Sequence, residues 1–232
     1  MQGRQGLFCL GLIGILLPSF AFAHAIGGKD AAFVAASHGE FFLPFVYLGA
    51  KHMVTGYDHL LFLFGVIFFL HRLKEVALYV TLFSIGHSVT LLSGVVADLR
   101  VNSYLVDAII GVSVAWKGFD NLSGFQNLFG VQPNNRLMVL CFGLVHGFGL
   151  ATKLQALRMP SEGLFANLAS FNLGVELGQL MVLSFLVVIL ALLRGHRVFG
   201  VMSSSTNVVL IFLGFLLAGY QLAGYFYAGQ ML

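Results

Sequence analysis

Charge is scarce in this chain: 9% of its 232 residues are Asp, Glu, Lys or Arg, against roughly a quarter in ordinary soluble domains. With 59% hydrophobic residues and a mean hydropathy of +0.93, that deficit excludes a water-soluble globular domain. The basic residues stand singly, without the run that a phosphate backbone needs, so the net charge of +3 and the pI near 9.0 fit membrane interfaces and exclude a nucleic-acid partner. A glycine-rich phosphate loop is also missing, which argues against an ATP-driven pump within this chain. Thiols are rare as well. Cys9 falls in a leader and Cys141 in an apolar run, so the mature chain holds one thiol and no internal disulfide.

What the chain does have is polar chemistry at the start of an apolar run. His52-Met53-Val54-Thr55-Gly56-Tyr57-Asp58-His59 leads straight into Leu60 to Leu70. An ionisable side chain inside lipid costs roughly 2–3 kcal/mol or more unless it faces protein, water or an ion. His52, Asp58 and His59 are therefore candidate metal ligands, the alternative being a helix N-terminus capped by Asp58 with histidines among lipid headgroups. Gly56 predicts a helix break, which at membrane depth is tolerated only where backbone lines a cavity or packs inside protein.

Residues 1–23 read as a cleavable signal peptide: Arg4 in the leading region, the apolar stretch Leu7 to Leu17, and Ala21-Phe22-Ala23 as cleavage pattern. Cleavage leaves His24 as an extracytoplasmic N-terminus. Residues 24–232 then form a single polytopic transmembrane domain with a short extracytoplasmic segment at 24–40. The predicted fold class is an all-α membrane protein with six transmembrane helices, placed at 55–71, 76–97, 104–121, 137–157, 164–193 and 206–227 from apolar runs near the ~20-residue length a bilayer needs. Residues 41–51 are expected to form a short interfacial helix before the first. This topology puts Arg72, Lys74, Arg136, Arg194 and Arg197 in the cytoplasm and Lys29, Lys51, Arg100 and Arg158 outside, a slight positive-inside bias.

Polar residues in the later spans fall into patches. Ser84, His87 and Ser88 share a helical face; Gly143, His146 and Gly147 share another, with Lys153 two turns beyond; Asn172, Glu176 and Gln179 form a stripe beside Gly174 and Gly178. Lys153 either snorkels to the outer interface or neutralises Glu176. Asp107, Lys117 and Asp120 read as an ion pair or caps near the ends of the third span. A weak internal repeat carries Phe83-Ser84-Ile85-Gly86 onto Phe171-Asn172-Leu173-Gly174 at an offset of 88, which also carries Asp58 onto His146. It fits a 3+3 inverted repeat of the kind found in secondary transporters.

Together these residues resemble the HupE/UreJ family, in particular its HupE/UreJ-like branch. The resemblance rests on the His-x5-Asp-His pattern of His52, Asp58 and His59 with Leu-Leu-Phe-Leu after it, and on Gly86 to Leu91. It rests equally on Phe142-Gly143-Leu144-Val145-His146-Gly147-Phe148-Gly149 and on Phe171 to Gln179. It implies a nickel or cobalt permease associated with metalloenzyme maturation proteins, with His52, Asp58, His59 and His146 handling metal. Lys153 stands near the place where nickel permeases similar to this chain carry a Glu after the second His-Gly motif.

The metal set expected from residues and resemblance together is His52, Asp58, His59, His87, His146 and Glu176, taking nickel or cobalt, with zinc or copper also suited to imidazole and carboxylate. No tightly bound cofactor is expected. The partners are the divalent ion, the lipid bilayer and maturation proteins, and the expected location is the bacterial cytoplasmic (inner) membrane with the mature N-terminus outside. Two other classes stay open: a non-transporting metal-binding accessory protein, and an intramembrane metal-dependent hydrolase in which His59, His87 and His146 hold zinc.

Overall fold

The computed structural model describes residues 28–156, 160–196 and 199–229, so the leader at 1–23, His24, Arg158 and Arg197 lie outside the described residues. A chain this apolar satisfies its backbone within helices. Among the described residues they are α1 (Gly28–Ala35), α2 (Phe42–Thr55), α3 (Tyr57–Ile67), α4 (Leu73–Val96), α5 (Ser103–Asn121), α6 (Gly124–Phe129), α7 (Asn135–Ala156), α8 (Leu164–Arg194) and α9 (Phe199–Gly229). Four of them, α4, α7, α8 and α9, are long and apolar enough to cross a membrane. Helix α5 has 19 residues and carries Asp107, Lys117 and Asp120.

The segment expected to open the bundle differs from the sequence reading in two ways. The break predicted at Gly56 is present, at φ −78° and ψ 88°, but the span placed at 55–71 is shorter than expected, since α3 beyond the break has only 11 residues. A Cβ at Gly56 would come within 3.0 Å of both the His52 carbonyl oxygen and His59 Nδ1, so the break needs glycine for space. The helix assigned to residues 41–51 as interfacial instead runs to Thr55 and buries Phe45, Leu48, Gly49, His52 and Met53. Its partner is α8, because Gly49 meets the Phe171 carbonyl and Gly174 meets the Val46 carbonyl with no room for a side chain. Small residues let helices approach at backbone distance where lipid supplies no hydrophobic drive between them.

Contacts along the helices give their directions. Asn167 at the start of α8 accepts from the Phe41 N–H at 2.7 Å and donates to the Gly39 carbonyl at 2.9 Å, and Arg194 at its end donates to the Phe68 carbonyl at 2.5 Å. Both α2 and α3 therefore run parallel to α8. Helix α4 returns beside α7, with Gln155 of α7 donating to the Gly94 carbonyl at 2.6 Å. Helix α5 runs back, and α9 crosses it antiparallel at Gly111 and Gly214. The bundle thus has an α1 end, holding residues 97–102 and 160–163, and an α6 end, holding residues 68–72 and 122–134.

Two crossings are equivalent in detail. A Cβ on Gly49 would overlap the Phe171 carbonyl, and one on Gly143 would overlap the Phe83 carbonyl; one on Gly174 would meet Val46 and Ala50, and one on Gly86 would meet Leu140 and Leu144. Helix α4 therefore matches α8 at the offset of 88, whereas α7 matches α2 at an offset of 94. The structural equivalent of His146 is His52 and not Asp58, because α7 repeats the helix before the Gly56 break and not the one after it. Lys51, on the exposed side of α2, donates to Asp30 of α1 at 2.6 Å and ties the short first helix to this unit.

Replacing Gly174 by Ala should push α2 off α8 and cost about 1–3 kcal/mol, the usual range for overpacking. Gly219→Ala, where nothing stands within 4 Å of the added Cβ, should leave the thermal midpoint of the detergent-purified protein unchanged. Equal midpoints for the two variants would show that the crossing is loose.

Candidate metal centre

The break at Gly56 sets the centre. It places Asp58 in the first turn of α3, where the positive end of the helix favours a carboxylate. Asp58 Oδ1 lies 2.9 Å from His59 Nδ1. An ionised carboxylate can only accept, so this contact puts the His59 proton on Nδ1 and the lone pair on Nε2. Asp58 and His59 are each 1% exposed.

His146 enters from α7 and is fully buried. Ser113 Oγ donates its one proton to the Ile110 carbonyl at 2.6 Å, so its 3.3 Å contact with His146 Nε2 must be accepted from the ring. With the hydroxyl proton on Ile110, this contact would favour the Nε2–H tautomer of His146. One ligand atom from each of Asp58, His59 and His146 lies within 4.8 Å of the other two. Three donors sharing one ion at metal bonds of about 2.0–2.2 Å stand roughly 3.3–3.8 Å apart, so the three could hold a divalent cation once their side chains draw inward.

Two more imidazoles border this trio. The His59 ring centroid lies 4.7 Å from His146, 5.2 Å from His52 and 5.9 Å from His87. His52 is 6% exposed and packs beside Phe171, so it walls the cluster on the α2 side. His87 stands outside the trio, with Asn172 of α8 near its ring but out of hydrogen-bonding geometry. Phe62 and Phe83 complete the enclosure at 5.5 and 5.1 Å from the His146 ring.

Glu176 is half-buried on α8 and is not among the converging groups. The fully buried polar residue of its stripe is Gln179, which accepts from Ser84 Oγ at 3.1 Å. Lys153 does not neutralise Glu176. Its ammonium sits 3.0 Å from Asp107 Oδ2 and 3.2 Å from Oδ1, because α7 packs between α4 and α5 while α8 packs on α2. Lys117 and Asp120 do form the ion pair expected of them, at 2.6 Å. Ser113 was not singled out by the sequence. A lone hydroxyl in an apolar helix carries no signal until the residue across from it is known.

A buried carboxylate and four imidazoles gather inside an apolar helical bundle, and three of these groups, Asp58, His59 and His146, are placed where they could hold a metal ion. Residues 28–229 match the family described as HupE / UreJ protein, and the chain belongs to that family. No curated protein matches the chain, and no solved structure does. Family membership makes this a membrane protein concerned with a transition metal, nickel or cobalt.

The Lys153–Asp107 contact makes a prediction. Lys153→Met and Asp107→Asn each strand one partner of a mostly buried pair, a loss of about 3–5 kcal/mol at full burial and less here, where Lys153 keeps 20% of its side chain exposed. The double variant should recover part of the thermal midpoint. Adding Glu176→Gln to Lys153→Met should recover nothing, and rescue by Glu176→Gln would mean that the ammonium turns to α8 instead.

Proposed function

We propose that the chain is a permease for a divalent transition-metal cation, nickel or cobalt, in the bacterial cytoplasmic membrane. The observation that carries this reading is the convergence of Asp58, His59 and His146 within 4.8 Å in the interior of the bundle. Imidazole and carboxylate suit borderline divalent ions, and affinity order alone does not choose nickel over copper or zinc. A transit site must also release its ion. Three ligands drawn from two separate helices, α3 and α7, allow that: a small separation of α7 from α3 dismantles the set. Ion entry is from the extracytoplasmic side, where the α1 end lies in the topology with the mature N-terminus outside.

Six passes between the two ends support a six-span topology, with α2 and α3 together as one broken span and α5 carrying its charges inside. The paired crossings of α2 with α8 and of α4 with α7, together with the antiparallel self-crossing of α5 and α9 at Gly111 and Gly214, support a 3+3 inverted repeat. Its two-fold axis lies in the membrane plane, the plan of many secondary transporters. The metal is then a substrate, and maturation proteins that receive it are the expected partners.

Reconstitution into vesicles with a panel of divalent ions tests the reading. Nickel or cobalt uptake is expected. Stoichiometric binding without flux would assign an accessory role, and ester or amide turnover a hydrolase. The double change His59→Ala, His146→Ala should abolish binding and uptake at normal membrane yield, whereas His71→Ala and His196→Ala, at exposed positions of the α6 end, should do little. Ser113→Ala should weaken metal binding by about 10–100-fold, the usual effect of losing the group that orients a ligating imidazole. Unchanged affinity would show that Ser113 does not set the His146 tautomer.

A further inference from the structure

A cavity of about 200 Å³ lies at the α6 end of the bundle, lined by Lys117, Asp120, Gln132 and Asn135 together with Val66 and Val139. Its place relative to the metal centre follows from helical register. Val66 is seven residues beyond His59, Val139 seven before His146, and Asp120 seven beyond Ser113. Seven residues are two turns, about 10 Å along the axis. The cavity therefore sits below the cluster on the same faces of α3, α7 and α5. Gln132 is exposed, so the cavity meets solvent at that end.

Its polar lining suits a water-filled space without net charge. Lys117 Nζ lies 2.6 Å from Asp120 Oδ2 and 3.3 Å from Asn135 Oδ1, and Asp120 Oδ1 accepts from Gln132 Nε2 at 2.8 Å. The ammonium is a tethered cation in a nest of oxygen acceptors. Between nest and cluster stand three rings. Phe62 is fully buried, 5.7 Å from Phe83 and 5.4 Å from Phe142, and 5.5 Å from the His146 ring. Phe62 is one turn beyond His59, and Phe142 one turn before His146. Among the described residues, the polar groups along this line lie on either side of an aromatic layer one turn thick. Hydrophobic constrictions close a pore by excluding water.

We propose that this cavity is the vestibule of the cation path on the α6 side and that the Phe62 ring, backed by Phe83 and Phe142, is the gate between it and the metal centre. The proposal rests on the permease reading. The test uses the full-length chain without its native thiols (Cys9→Ser, Cys141→Ser), carrying Asn135→Cys at a half-buried position of the cavity lining, in vesicles. A membrane-impermeant thiol reagent supplied on the α6 side should label Asn135→Cys, and cobalt flux should rise by about an order of magnitude in Phe62→Ala as the apolar barrier is lost. Phe142→Ala, at a half-buried position, repeats the test should Phe62→Ala fail to fold. An unlabelled Asn135→Cys overturns the vestibule. Labelling with cobalt flux unchanged in both phenylalanine variants overturns the gate, as does cobalt bound at His59 and His146 but never carried. Wild-type protein that binds no cobalt removes the permease reading and the gate together; that failure is recognised by Asn135→Cys labelling persisting without any metal response.

Discussion

Putting a carboxylate and four imidazoles into an apolar bundle is the constraint that the rest of this structure answers. Each such group is stable there only if protein or an ion satisfies it. Asp58 is met by the first turn of α3 and by the His59 ring, and His146 by a serine whose own proton is already committed to the Ile110 carbonyl. These partners do more than satisfy. The same contacts orient the His59 and His146 rings within the cluster.

The break at Gly56 is what makes the site asymmetric in an otherwise paired architecture. Helices α2 and α8 cross as α7 and α4 do, and His52 and His146 occupy equivalent positions beside Phe171 and Phe83. Helix α3 has no counterpart in that pairing. It brings Asp58 and His59 between the two halves, 5.2 Å from one equivalent histidine and 4.7 Å from the other. A repeat alone would give two similar half-sites. The extra half-helix turns them into one centre.

Helix α5 supplies the electrostatic frame. Its charged residues pair on either side of Ser113: Asp107 with Lys153 toward the α1 end, Asp120 with Lys117 toward the α6 end. Neither pair adds net charge to the interior, so the cation-binding character of the centre is left to Asp58 and the imidazoles. Such pairs gain little stability over apolar replacements but are costly to break; the Lys153–Asp107 pair ties α7 to α5, whereas Lys117–Asp120 lies within α5.

Composition determined the class, since 9% charge cannot solvate a soluble domain of this length. Local pattern determined the helices and the break at Gly56 and marked Asp58, His59 and His146 as candidate metal ligands, because polar residues in an apolar run demand a purpose whatever the fold. Register across helices was another matter. The sequence offered Lys153 either the outer interface or Glu176 and matched Asp58 with His146 by a single offset, and deciding both required knowing which helices touch. Only the tertiary structure decided that α7 packs on α4 and α5 and that α2 packs on α8. The physical reason is that glycine carbonyl contacts, not side-chain chemistry, choose the neighbours here, and a glycine in an apolar helix looks the same in sequence whether it faces a partner or lipid.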